Sequence, residues 1–338
     1  MRTWVFRHGV RLVGPLLLVL VLWKAGDVRA LVELLGRVSA GPLVLACLLN
    51  GANVHLKVER TRLLAGLRGL DYPRTALWKG MLPSLYLGMV TPGRVGDALR
   101  IQYMRRDLGT SYAEGLALIV MDRFCDLYVL LAFVAAGVAH FASVLTGRLG
   151  TITWLGVLVT AVFPLAFLVR GPAEFAMGLI KRKFPAAGGD AGERFLEALR
   201  GQMRPKLGWA VPLTVGAFLI NYLQGWLASR ALGLELAYSD VIFMMAITSL
   251  LGLLPISMSG AGVRELFMAL VFPSLGFARE QGIAFGLLIF AVIYLFCSLV
   301  GLVAWQLAPP PFDVQDAPAE GDARSRLAAS PHSGKKAP

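Results

Sequence analysis

The chain has 338 residues, of which 57% are hydrophobic and 16% charged, whereas a soluble globular domain carries about a quarter charged residues. Those proportions leave no room for a soluble domain able to work alone and predict a polytopic α-helical integral membrane protein. The formal net charge of +12 does not indicate nucleic acid, because Lys and Arg gather in links beside apolar segments (Lys57 to Arg74, Arg94 to Arg106, Arg170 to Lys206) rather than on a separate basic and aromatic surface.

At the N-terminus, Arg2, Arg7 and Arg11 precede an apolar run from Leu12 to Trp23. No small residues at cleavage spacing follow; Lys24, Asp27 and Arg29 do, so an uncleaved first helix is expected rather than a signal peptide. Residues 24–40 place Val28, Leu31, Leu35 and Val38 at helical spacing among charged neighbours, which predicts an interfacial amphipathic helix. Together with 11–23, apolar segments run at about 41–57, 75–91, 115–141, 151–169, 207–231, 241–258, 262–276 and 281–307. Crossing about 30 Å of hydrocarbon takes about 20 apolar residues, and lipid offers the backbone no hydrogen-bond partner, so these segments are read as helices. Residues 1–308 form one transmembrane domain in this reading. Residues 309–338 open on three prolines and continue in Ala, Ser, Gly and mixed charge, predicting a disordered cytoplasmic tail. Cys47, Cys125 and Cys297 lie far apart inside apolar segments and read as small hydrophobes, while His8, His55, His140 and His332 make no metal-binding spacing.

If every apolar segment crossed, the basic links 92–112 and 170–206 would face outward, against the positive-inside rule. If instead 75–97 and 241–276 each enter and leave on one face, about six full crossings remain. The basic links 57–74, 92–112 and 170–206 and both termini then fall on the cytoplasmic side of a cell (inner) membrane, and the link 232–240, with Glu235 and Asp240, falls outside.

The two irregular elements look alike. One runs Ser84 to Arg100 through Pro92, Gly93, Arg94, Gly96 and Asp97; the other runs Ser249 to Glu265 through Pro255, Gly260, Gly262 and Arg264. Each is an apolar run, then Pro, then Gly-x-x-x-Arg with a carboxylate beside the Arg (Gly96 to Arg100, Gly260 to Arg264), and a long apolar helix follows near Gly115 or Gly282. Pro removes a donor and ends a helix, and Gly permits the reversal. Three crossings separate the elements, which puts them on opposite faces as an inverted repeat. Such paired interruptions point to a transporter's binding site, and freed helix ends with Arg favour an anion. The plainer alternative is a pair of ordinary loops whose arginines touch lipid headgroups.

Glu59-Arg60, Thr91 to Asp97, Asp122-Arg123 with Asp126, and Leu254-Pro-Ile-Ser-Met-Ser-Gly-Ala-Gly-Val-Arg-Glu265 resemble the lysylphosphatidylglycerol synthase transmembrane-region, or flippase-like, family, over roughly residues 10–307. The resemblance implies a multi-helix membrane protein that moves or handles lipids, among them aminoacylated phospholipids, polyprenyl-linked sugars and hopanoids. The chain departs from bifunctional members in lacking a soluble aminoacyl-transferase domain, so lipid aminoacylation by this chain alone is not expected.

Other polar groups carry two readings each. Asp122 and Asp126 share a helix face and Arg123 can reach Asp126, as a polar cavity wall with proton coupling or as a structural ion pair near the cytoplasmic end. Glu59-Arg60 anchors the second helix at the basic face or closes a headgroup site. Asn50 with Asn53, and Asn221 with Gln224, read as interhelical hydrogen bonds ahead of substrate contacts. Trp23, Trp78, Trp209 and Trp305 read as an interfacial belt. The leading expectation is a flippase-type transporter of an anionic phospholipid or lipid-linked phosphate or sugar, not an enzyme. Arg94, Arg100 and Arg264 would bind charge, Asp97 and Glu265 would orient them, and Arg60, Asp122, Arg123 and Asp126 would complete the site. No Walker motif is present and no cofactor or metal is expected. The runner-up is a membrane enzyme using Asp97, Asp122 and Asp126; a third reading is a partner of a lipid synthase or glycosyltransferase.

Overall fold

The computed structural model describes residues 28–91, 96–140, 151, 154–159, 161–162, 190–252 and 260–309. The expected first crossing at 11–23, most of 151–169 and the tail from 310 lie outside the described residues, as do Pro92, Gly93, Arg94 and Pro255. Every regular element among the described residues is helical. In chain order the α-helices are α1 (Val28–Gly36), α2 (Ala40–Leu67), α3 (Arg74–Val90), α4 (Leu99–Leu108), α5 (Tyr112–His140), α6 (Asp190–Arg200), α7 (Ala210–Ala231), α8 (Tyr238–Leu251), α9 (Val263–Val271), α10 (Arg279–Ile289) and α11 (Phe296–Leu307).

Two described helices are long and apolar enough to cross a bilayer, Pro205–Ala231 and Arg279–Leu307; Tyr238–Leu251 is apolar but shorter. Helices α2 and α5, 28 and 29 residues long, have the length but carry ionised side chains. The amphipathic segment 24–40 contains α1, whose Leu31 and Leu35 pack on Ala269, Ile283 and Ala284.

Two stretches read as links contain helices. Residues 99–108 form α4, which is too polar to register as an apolar segment and stops at Gly109 in a left-handed conformation. Residues 190–200 form α6, whose Ala198 and Leu199 pack with Ala117, Leu118 and Met121 of α5. The segment read as 281–307 is one continuous helical run from Arg279 to Leu307 interrupted by a π-helical turn at Phe290–Leu295.

Helix α2 lies along α7, α3 packs on α11, and α5 packs on α8. Glycines let two of these pairs close. Gly137 of α5 faces Phe243 and Ile247 of α8, and Gly301 of α11 sits against Tyr86 and the Leu82 carbonyl of α3, where a Cβ would collide with the backbone. Side-chain amides tie α2 to α7: Asn53 Nδ2 donates to the Ala217 carbonyl at 2.6 Å and Gln224 Nε2 to that of Ala46 at 2.8 Å. One apolar core joins α2, α3, α5 and α6 through Leu64, Met81, Met121 and Leu199; another joins α5, α7, α8, α9 and α10 through Val134, Tyr222, Met244, Met268 and Phe285.

Candidate functional site

Helix α3 ends at Val90, and the chain returns to it: Gly96 N–H donates to Thr91 Oγ1 at 2.8 Å, and Gly96 presses so closely on the Leu87 carbonyl that no Cβ would fit. The second interruption has the same form. Helix α8 ends at Leu251, Gly252 and Gly260 lie side by side, and Gly260 and Gly262 adopt φ of 78° and 84°, a backbone conformation that favours glycine.

Just beyond the first return, three arginines and three aspartates interlock. Arg60 on α2 donates through Nε to Asp122 Oδ1 at 2.8 Å and through Nη1 to Asp126 Oδ1 at 2.5 Å and Thr214 Oγ1 at 2.9 Å. Arg100 on α4 reaches Asp122 Oδ2 at 3.3 Å and the Asp97 carbonyl at 3.4 Å. Arg123 lies 3.3 to 3.6 Å from Asp122, Asp126 and Asp97. The formal charges cancel, as buried ions require. Arg60, Arg100, Asp97 and Asp122 are buried, whereas the Arg123 side chain is 38% exposed and turns toward a cavity.

At the second return, Glu265 holds Arg264. Its Oε1 accepts from Arg264 Nη2 at 2.6 Å and Nε at 3.0 Å, and its Oε2 accepts the Gly262 N–H at 2.6 Å, capping α9. The Arg264 guanidinium stands 5.4 and 5.5 Å from the rings of Phe290 and Tyr294, within range of cation–π attraction.

Both constructions border one cavity of about 160 Å³. Lys57 of α2 and Arg123 and Asp126 of α5 form one wall; Arg264, Gly260 and Gly252 form another; the remainder is mixed, with Phe218, Ile289 and Ile293 beside Asn221, Thr248 and Ser249. A smaller cavity of about 70 Å³ shares Lys57, Asn221, Ile293 and Tyr294 with it and extends to Asn50, Asn53 and Met89. Three cations therefore face the space against one carboxylate, Asp126, with Glu265 behind Arg264.

Of the residues expected to form the site, Arg123, Asp126, Arg264 and Gly260 line this cavity. Arg60, Arg100, Asp97 and Asp122 sit in the ion cluster behind it, and Glu265 and Gly262 shape the Arg264 side. Glu59 and Arg60 part company. Glu59 turns to Arg74, whose hydrogen bond holds its carboxyl below the usual range, while Arg60 turns inward. Asn50, Asn53 and Gln224 make the interhelical bonds read from their spacing, Asn50 donating to the Val292 carbonyl inside the π-helical turn. Asn221 borders both cavities instead. Trp209 is well exposed, but Trp78 stacks on His55 and Trp305 meets Tyr86 edge-on.

Lys57 and Tyr294 were missed as cavity residues. Lys57 had a sequence signal: Asn50, Asn53, Lys57 and Arg60 make a polar stripe at helical spacing along one face of α2. Tyr294 had none, since the π-helical turn that carries it leaves no mark on composition. Among the described residues, no group of three or more His, Cys, Asp or Glu side chains could hold a metal ion. No curated protein matches the chain. The family described as lysylphosphatidylglycerol synthase TM region matches residues 11–301, so the chain, with the helices and paired interruptions described above, belongs to that family of membrane regions.

Proposed function

We propose that this chain is a flippase-type transporter of an anionic lipid, a phospholipid or a lipid-linked phosphate or sugar, whose headgroup enters the cavity between two inverted halves. The observation that carries the reading is the cavity lining. Lys57, Arg123 and Arg264 face a space with one opposing carboxylate and mixed remaining walls, polar at Thr248, Ser249 and Asn221 and apolar at Phe218, Ile289 and Ile293, which suits a phosphate with the first carbons of its chains. Arg264 is the principal phosphate ligand, pre-oriented by Glu265. Arg100 acts through Asp122 and not by direct contact.

The halves in this reading are α2 to α5 and α7 to α11. Helices α2 and α7 correspond, as do α3–α4 and α8–α9, and α5 and α10–α11. Three contacts support the correspondence, because α2 meets α7, α3 meets the second half's last helix, and α5 meets the second half's α8. Gly115 packs on Ile101 and Gly282 on Met268, at equal sequence separation. Six crossings with both termini cytoplasmic would place the interruptions on opposite faces.

Transport is tested in proteoliposomes of phosphatidylethanolamine and phosphatidylcholine carrying headgroup-labelled phosphatidylglycerol, followed by loss of the label to a membrane-impermeant quencher. The chain is expected to accelerate exchange between leaflets, and Arg264→Ala to slow it about tenfold or more, the effect of losing a charge-assisted hydrogen bond. Absence of chain-dependent movement for phosphatidylglycerol, phosphatidic acid and a polyprenyl phosphate would overturn the proposal.

A further inference from the structure

The smaller cavity differs chemically from the cationic one it joins. Its mouth is shared through Lys57, Asn221, Ile293 and Tyr294, and its inner wall carries Asn50 and Asn53. The orientation of both inner amides is fixed by chemistry. Asn53 contacts the Ala217 carbonyl at 2.6 Å, so its NH2 must point there and its oxygen is left as an acceptor. Asn50 spends its NH2 on the carbonyls of Cys47 and Val292, and its oxygen accepts from the Cys297 thiol at 3.0 Å, so it is satisfied. Asn221 makes no hydrogen bond to a described residue and borders both spaces. The compartment thus offers the Asn53 oxygen and the whole Asn221 amide beside the Lys57 ammonium. Acceptors call for a ligand that donates, and a neighbouring ammonium disfavours a cationic donor.

We infer that Asn221 and Asn53 form a hydroxyl-reading subsite, so that the favoured lipid carries an uncharged, hydroxyl-bearing group esterified to the phosphate held by Arg264. The inference rests on the transport reading and sharpens it. A compartment of about 70 Å³ takes a few heavy atoms, such as one glycerol unit or an edge of a sugar ring. Asn221 confers the preference, since its amide can both donate and accept, whereas Asn53 also braces α2 against α7.

The test compares acyl-chain-labelled phosphatidylglycerol with acyl-chain-labelled phosphatidylmethanol in the proteoliposomes above. The two carry the same charge, and only the first has hydroxyls. The native chain is expected to move phosphatidylglycerol about five- to tenfold faster, the discrimination that one or two hydrogen bonds provide. Asn221→Leu should bring the ratio to about one by slowing phosphatidylglycerol more than phosphatidylmethanol, and Arg264→Ala should slow both lipids and keep the ratio. Equal rates in the native chain would overturn the subsite and leave transport standing; movement of neither lipid would overturn both. A variant-free check uses soluble headgroup mimics on the native chain: glycerol 1-phosphate should raise the thermal midpoint more than methyl phosphate. Equal shifts would count against the subsite.

Discussion

Arg60 is the most deeply buried arginine of the ion cluster. It is 1% exposed, its guanidinium divides between Asp122, Asp126 and Thr214, and it joins α2, α5 and α7. Removing it leaves the buried Asp122 and the cavity-edge Asp126 with less compensation, and a broken buried pair costs about 3–5 kcal/mol. Arg60→Met is therefore expected to lower the thermal midpoint of the detergent-solubilised protein steeply, whereas Arg123→Gln, at a partly exposed site with longer contacts, should lower it far less and act on transport instead. If both substitutions shifted the midpoint equally, the separation between a structural and a cavity-facing arginine would not hold. The charges at Asp122, Arg123 and Asp126 were legible in the sequence, because ionised groups within an apolar helix are conspicuous. Their partners were not. Nothing local links Arg60 or Arg100 to Asp122, and the pairing exists only once α2, α4 and α5 are packed.

At the scale of elements, the two interruptions depend on how closely the backbone returns to the helix it left. Gly96 abuts the Leu87 carbonyl, so a methyl group there meets backbone that cannot yield. Gly225 in α7 also has no room for a Cβ, but its nearest neighbour is the Met245 sulfur, the flexible part of a side chain. Gly96→Ala should therefore destabilise by about 1–3 kcal/mol or more. Gly225→Ala should stay near neutral, since Met245 can swing aside and Ala favours a helix interior over Gly by about 0.5–1 kcal/mol. Thermal unfolding of the two variants side by side distinguishes these outcomes; a Gly96→Ala protein as stable as the parent would mean that the return at 91–96 is looser than described. The positions of both interruptions could be read from Pro and Gly in apolar sequence. Helix α4 could not, because its residues are polar and its helicity depends on a capping glycine and on neighbours such as Ile101 against Gly115. The π-helical turn was equally hidden: its Val292 carbonyl is met by Asn50, 242 residues away in sequence.

For the whole molecule, the proposed topology rests on charge asymmetry between links and on pairing between halves, and the two arguments make one joint prediction. The link after α2 carries Arg68 and leads to Arg74, and Tyr72 there donates to Asp107 at 3.0 Å; burial and then that carboxylate push its phenol up. The link after α7 carries Glu235 and leads to Asp240, which pairs with His140 at 2.7 Å at the end of α5. If α2 and α7 are corresponding helices of inverted halves, these links lie on opposite sides of the membrane, with the basic one inside. Asp71 and Glu235 are exposed and serve as reporters in a chain with Cys47, Cys125 and Cys297 replaced by Ala. A membrane-impermeant maleimide applied to intact spheroplasts should label Glu235→Cys and spare Asp71→Cys until the membrane is opened. Labelling of both from one side would place the two links on the same face, remove the inversion, and leave the central cavity without the two-sided access that transport requires.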